Sequence, residues 1–249
     1  MGEKLLSPPL IEALCDFRFK ESDKWDWTIP GRLFDQIKSE FNLRTQVNAL
    51  GVQVSLGSGR PITSHIETSP ERLQFKRSDG SAMVQIGPHL LTVNHLRPYP
   101  QWENFLKVIL RTLTIYWQIM EQVPLERIGL RYINQISLPS DHVDLRTVIT
   151  TDPQLKGPLN KPLEGFYQRY ELRYEEPRGV LIHQTGIQPA SDGKPSLMLD
   201  LDFGSQVVSD LATPDEIQGW LEKAHDQVFD AFRASLVPVV YSKMKKGAK

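Results

Sequence analysis

The sequence predicts an α+β protein in which duplicated strand-helix-antiparallel strands-helix units form one curved sheet with its helices on one face. Three observations lead there: apolar residues recurring with a period of two at the start of each half, two long stripes with the helical period, and Gly/Pro turn signals between short alternating runs. From Ile11 to Phe19 the odd positions are Ile11, Ala13, Cys15, Phe17 and Phe19, with Glu12, Asp16 and Arg18 on the even ones. That is a half-buried strand. Pro30 then opens a segment with Leu33, Phe34, Ile37 and Phe41 at helical spacing, and Pro is tolerated in a first helical turn because its missing N–H has no helical partner there.

Residues 47–96 alternate between short runs and turn signals at Gly57-Ser58-Gly59-Arg60-Pro61, Thr68-Ser69-Pro70, Ser78-Asp79-Gly80 and Gly87-Pro88, which predicts a meander of four or five strands. The period changes at Trp102. Phe105, Leu106, Ile109, Leu113, Tyr116, Trp117 and Met120 form one face of a long helix that Pro124 brings to an end.

The second half repeats that order. Ile128, Leu130, Tyr132, Asn134, Ile136 and Leu138 share one side of a strand, with Arg127, Arg131, Ile133 and Gln135 on the other, and a short helix is expected over 142–150. Strands follow at 165–175, 179–187 and 196–204, with a turn at Ser191-Asp192-Gly193. Thr213, Pro214 and Glu216 compose a capping box ahead of a helix striped by Ile217, Trp220, Leu221, Ala224, Val228, Phe232 and Leu236. Two repeats are therefore expected, 1–124 and 125–249, fused into one continuous domain. The arrangement is similar to the topology of the TATA-binding protein, where the first strands of the two halves meet at the centre.

Several stretches together resemble a sporadically distributed, uncharacterised bacterial family. The matching residues are Pro8, Pro9, Leu10, Glu12 and Ala13, the run from Gln85 to Phe105, Arg131-Tyr132-Ile133-Asn134, the strand around Asp200 and Asp202, and His225 with Phe232. The family's usual Ile is Leu10 here. The resemblance implies the fold and supplies no activity; a sporadic distribution suits an accessory component of a bacterial antiviral defence or stress locus.

Composition narrows the class. Hydrophobic residues are 40% and charged residues 24%, as in ordinary folded domains, and 29 basic against 30 acidic residues give a net charge of -1. There is no global positive field to attract nucleic acid. The amino-terminal residues lack the features of a secretory signal and no apolar run is long enough to span a bilayer, so the expectation is a cytoplasmic protein without a membrane partner. The single cysteine, Cys15, falls on the apolar side of its strand and reads as a buried small hydrophobe rather than a reactive thiol.

The leading candidate for an interaction face is the non-core side of the two first strands, Glu12, Asp16 and Arg18 with Arg127, Arg131 and Gln135. An ion pair across the pseudo-two-fold, Glu12 with Arg131, is the structural alternative to a ligand or partner contact there. Arg169, Arg173, His183, Asp200 and Asp202 form a weaker set; two carboxylates near a histidine suit a hard cation such as Mg²⁺, although alternating charge is also the default of an exposed strand face. Asn134 is expected to tie its strand to a neighbour, His225 to pack, Gly57-Ser58-Gly59-Arg60 to be a hairpin turn, and Lys243, Lys245, Lys246 and Lys249 to be a solvated tail.

No nucleophile elbow, Walker loop, dinucleotide fingerprint or zinc-ligand spacing occurs. The expected function is a non-catalytic, protein-binding or regulatory accessory protein with no cofactor. The alternatives are nucleic-acid binding across the open sheet face, through Arg127, Arg131, Arg169 and Arg173, and a metal-dependent enzyme on a phosphorylated small molecule.

Overall fold

The computed structural model describes residues 5–55, 63–138, 144–151, 155–159, 161, 163, 165–189, 194–205 and 208–246, with backbone alone at 49–55 and 63–70. The strands are β1 (Leu10–Phe19), β2 (Leu43–Ser55), β3 (Thr63–Lys76), β4 (Ala82–Gly87), β5 (Leu90–Leu96), β6 (Leu125–Ser137), β7 (Tyr167–Glu175), β8 (Arg178–Pro189) and β9 (Pro195–Ser205). All pair antiparallel in a single open sheet, in the order β2-β3-β4-β5-β1-β6-β9-β8-β7. The helices are α1 (Ile29–Ile37), α2 (Trp102–Ile119), α3 (Pro214–Ser235) and α4 (Pro238–Lys246).

The order is symmetric about the β1–β6 seam. Moving outward, β5 matches β9, β4 matches β8 and β3 matches β7, whereas β2 has no counterpart among the described residues. The alternation read in β1 decides which face is covered: Ala13, Cys15 and Phe17 are fully buried and lie in one core with Ile128, Leu130 and the stripes of α2 and α3. Each fully buried Leu or Phe side chain contributes roughly 1.5–3 kcal/mol. Burial also pushes the Cys15 thiol well above its ordinary range, as the strand pattern implies.

The start of α3 follows its sequence signal. The Thr213 hydroxyl accepts from the Glu216 N–H at 3.3 Å, and the Glu216 carboxylate accepts from the Thr213 N–H at 2.9 Å. The start of α2 is different: Gln101 caps it with φ 78 and ψ 155 and no side-chain cap, a conformation otherwise left to glycine.

Three local expectations change. Thr68-Ser69-Pro70 is no turn but the interior of β3. It sits at a register shift against Val47 and Asn48, beyond the stretch that β4 pairs with, where a missing Pro N–H breaks no bond to β4. Of the helix expected over 142–150, the described residues 144–150 form a single 3-10 turn, Leu145–Thr147, which Asp144 caps locally before Ile149 bridges Leu236. The basic carboxy-terminal segment is helical: Val240 and Tyr241 pack on the core and place Lys243, Lys245 and Lys246 on α4. The signals at 57–61 and 191–193 lie outside the described residues, as does Lys249. No described helix is long and apolar enough to cross a membrane.

Candidate functional site

The two first strands meet at the centre of the sheet and bring the predicted interaction face together with part of the weaker set. Asp200 and Asp202 lie on β9, next to β6, and point to the same open face as Arg127 and Arg131. Arg131 holds Asp200 through two hydrogen bonds, Nε to Oδ1 at 2.8 Å and Nη2 to Oδ2 at 2.5 Å. Such a bidentate fit fixes geometry as well as charge. Arg127 reaches Asp16 across the seam at 2.7 Å and Asp202 on its other side at 3.4 Å. Arg18 adds a longer contact to Asp16 at 3.7 Å.

Two glycines make room for this arrangement. A Cβ at Gly129 would stand 2.5 Å from Asp16 Oδ1 and 2.9 Å from Arg127 Nη1, and one at Gly204 would stand 2.8 Å from Arg127 Nη2. Both belong to strand interiors, where glycine otherwise weakens a strand, and a glycine there signals that another group approaches the backbone closely. That signal is legible in the sequence at Gly129 in GLRYIN and Gly204 in LDFG, and went unused in choosing site residues.

The expected pair of Glu12 with Arg131 does not form. Glu12 stands opposite Ile133 and Leu14 opposite Arg131, and the Glu12 carboxylate turns to β5, where it accepts from Asn94 Nδ2 at 2.5 Å. Asn94 Oδ1 accepts from Gln85, and Gln85 Oε1 accepts from Gln74, each at 2.9 Å, a line of amides running from the seam to β3. On the other side Gln184 donates to Asp200 at 3.3 Å and accepts from Arg169 at 3.3 Å, while Arg169 also holds Glu171 at 2.7 Å. Gln135 donates to the Ser196 hydroxyl at 3.2 Å, and Arg173 stands exposed on the outermost strand, opposite Val180.

His183 is separated from Asp200 and Asp202. It pairs with Leu201 and faces the helices, with Nε2 at 2.8 Å from the Ser235 hydroxyl, because one step along a strand turns a side chain to the opposite face. The proposed Mg²⁺ set therefore does not converge, and among the described residues no group of three or more His, Cys, Asp or Glu is placed to share an ion. Burial lowers the pKa of His183 and raises that of Asp202. The open face thus carries a lattice in which the carboxylates already neutralise Arg127 and Arg131.

The helix face holds a cleft of about 130 Å³ at the seam, between the start of α2 and the middle of α3. Pro9, Tyr99, Trp102, Tyr132, Asn134 and His225 are among its walls. The Tyr99 and Tyr132 hydroxyls are 2.9 Å apart, the Asn134 amide donates to the Leu199 carbonyl at 3.3 Å, and His225 stacks on Trp102 with centroids 4.2 Å apart. Asn134 and His225 thus make the packing contacts expected of them, and burial lowers the His225 pKa. The fold gathers these walls from distant parts of the chain. Against protein-family models and against the curated proteins, the chain finds no match.

Proposed function

We propose that the chain is a non-catalytic, cytoplasmic protein-binding protein of accessory or regulatory role, which holds its partner at the outer edge of β7. The observation that carries this reading is the state of that strand. β7 closes the sheet on one side with no further strand beside it among the described residues, and Tyr167, Tyr170 and Leu172 are 66%, 45% and 44% exposed along its nine residues. A free edge offers unpaired backbone donors and acceptors, and an extended segment of another protein adds to it as a further strand.

The lattice on the open face supports the same choice over the alternatives. A phosphate backbone is bound by cations free to replace its counterions, yet Arg127, Arg131 and Arg169 are each engaged by a carboxylate. Asp200 and Asp202, the metal ligands of the enzymatic alternative, are those carboxylates for Arg131 and Arg127.

Replacing Tyr170 by a photoreactive phenylalanine derivative in the native host tests the reading. Irradiation is expected to give a discrete covalent adduct with a protein, which the same replacement at Val239, more exposed but on α4, does not give. Identical adducts from both positions, or none from Tyr170, would overturn it.

A further inference from the structure

The sequence of β7 reads against itself. From Arg169 to Glu175 it runs RYELRYE, and reversing the order about Leu172 sets Arg169 against Glu175, Tyr170 against Tyr174 and Glu171 against Arg173. An antiparallel partner strand is read in that reversed order. We infer that the partner on the β7 edge is a second copy of this chain, paired β7 to β7 about a two-fold axis at Leu172. This rests on the reading of the β7 edge given above.

Backbone geometry permits that register. The Ile187 N–H donates to the Phe166 carbonyl at 3.0 Å, and Tyr167 stands opposite Gly186, so Phe166 and Ile187 form a hydrogen-bonded pair. Backbone groups on an antiparallel strand alternate in direction. Gln168, Tyr170, Leu172 and Tyr174 therefore turn theirs toward β8, and Arg169, Glu171, Arg173 and Glu175 turn theirs to the free edge. In the two-fold pairing these outward residues meet one another, Arg169 with Glu175 of the second copy and Glu171 with its Arg173. Donors and acceptors are then matched along the whole contact.

Side chains discriminate between registers. About Leu172, every one of the four charges on each strand faces its opposite. About Glu171, Arg169 would meet Arg173 and Glu171 would meet itself, and like charges directly opposed are destabilising. About Tyr170, Arg173 would face Tyr167 and Glu175 would lie beyond the strand. On the other side of the ribbon, the register about Leu172 puts Leu172 against Leu172 and Tyr170 against Tyr174, covering two of the three large side chains that β7 exposes. Charge on an edge usually prevents association by repelling any second copy. Charge of alternating sign in a self-complementary order does the reverse.

The two halves of the sheet point to the same place. β3, the symmetric counterpart of β7, is covered by β2 along thirteen paired positions, and a second β7 would supply that cover on the other side. Isologous pairing also closes the assembly, since each β7 edge is used up by the other.

The test uses the full chain and two charge-reversed variants, Arg169→Glu/Arg173→Glu and Glu171→Arg/Glu175→Arg. Sedimentation equilibrium of the wild type is expected to show reversible association to a two-chain mass. Each variant alone, its β7 charges then all of one sign, is expected to remain a single chain, and an equimolar mixture of the two is expected to recover the two-chain mass. All four substituted side chains are exposed, and a urea midpoint for each variant equal to that of the wild type at a dilution where it is a single chain separates loss of association from loss of folding. A wild type that stays a single chain at every concentration, or variants that still associate alone, would overturn the inference. If the wild type stays a single chain while the Tyr170 probe captures a different protein, the second copy is wrong and the binding reading stands.

Discussion

The two halves of the open sheet face solve one problem by different chemistry. Both must satisfy polar side chains crowded on a curved sheet, where Gln85, Asn94, Asp16 and Asp200 are all buried. The β5 side does so with neutral amides, Gln74 to Gln85 to Asn94, ending on the single carboxylate of Glu12. The β9 side does so with charge, Arg131 on Asp200 and Arg127 between Asp16 and Asp202, continuing through Gln184 to Arg169 and Glu171. The neutral half carries one strand more, β2 covering β3, whereas in the charged half β7, the counterpart of β3, is itself the edge. Ion pairs therefore organise the side that ends at β7, and a line of amides organises the side that continues to β3 and β2.

The contrast predicts that the largest loss follows from breaking the charged half. Arg131→Met strands the Asp200 carboxylate, whose side chain is only 10% exposed, with Gln184 as its remaining donor. Removing one member of a buried pair costs about 3–5 kcal/mol, and partial exposure of Arg131 brings the expected loss to about 2–4 kcal/mol by urea denaturation. Adding Asp200→Leu removes the uncompensated charge and is expected to recover most of that loss, because two apolar groups of similar volume replace a buried pair at little cost. A double variant no more stable than Arg131→Met alone would show that the pair is not the organising contact.

A smaller loss is expected in the neutral half. Asn94→Leu deprives Gln85 of its acceptor and Glu12 of its donor without leaving a buried cation, which places the cost at about 1–3 kcal/mol. Asn94→Leu should therefore cost less than Arg131→Met in the same urea series. The reverse ranking would mean that the amide line, rather than the ion pairs, organises the face.

Periodicity carried the fold further than it carried the site. The strands, both long helices and the capping box at Thr213 were legible because each rests on contacts local in sequence or on a repeating burial pattern. The side on which Glu12, Arg127, Arg131, Asp200 and Asp202 lie was legible for the same reason. Which of them pair was not. The register of β1 on β6 sets Glu12 opposite Ile133, one diagonal step from Arg131, and there Glu12 accepts from Asn94 on β5 while Arg131 turns to Asp200 on β9; which neighbour each takes depends on strand register, which has no signature in LIEALCDF. His183 went astray by a simpler step, since a parity count against its neighbours on β8 would have placed it with Leu181 under the helices. The segment 142–150 has apolar residues enough for a helix, but from Asp144 onward the capped turn goes no further than one turn and Ile149 bridges Leu236.

The same half-to-half comparison yields its smallest predicted effects at the starts of the two long helices. At α3, Thr213→Ala removes the hydroxyl that accepts from the Glu216 N–H, leaving an orphan donor of the first turn, and is expected to cost about 1 kcal/mol. At α2 the counterpart has no cap to lose. Gln101 holds a backbone conformation that costs about 1–3 kcal/mol for a residue with a side chain, so Gln101→Gly relieves strain while adding freedom to the unfolded chain, which returns up to about 1 kcal/mol of the gain. A net rise in stability of about 1 kcal/mol is expected in the same urea experiment. The sign is what matters: opposite shifts for Thr213→Ala and Gln101→Gly would show that one half begins its helix with a satisfied terminus and the other with a strained one beside the cleft. A fall on both substitutions would mean that the Gln101 side chain makes up for its backbone by a contact in the cleft wall, and its strain would then belong to that cleft rather than to the helix.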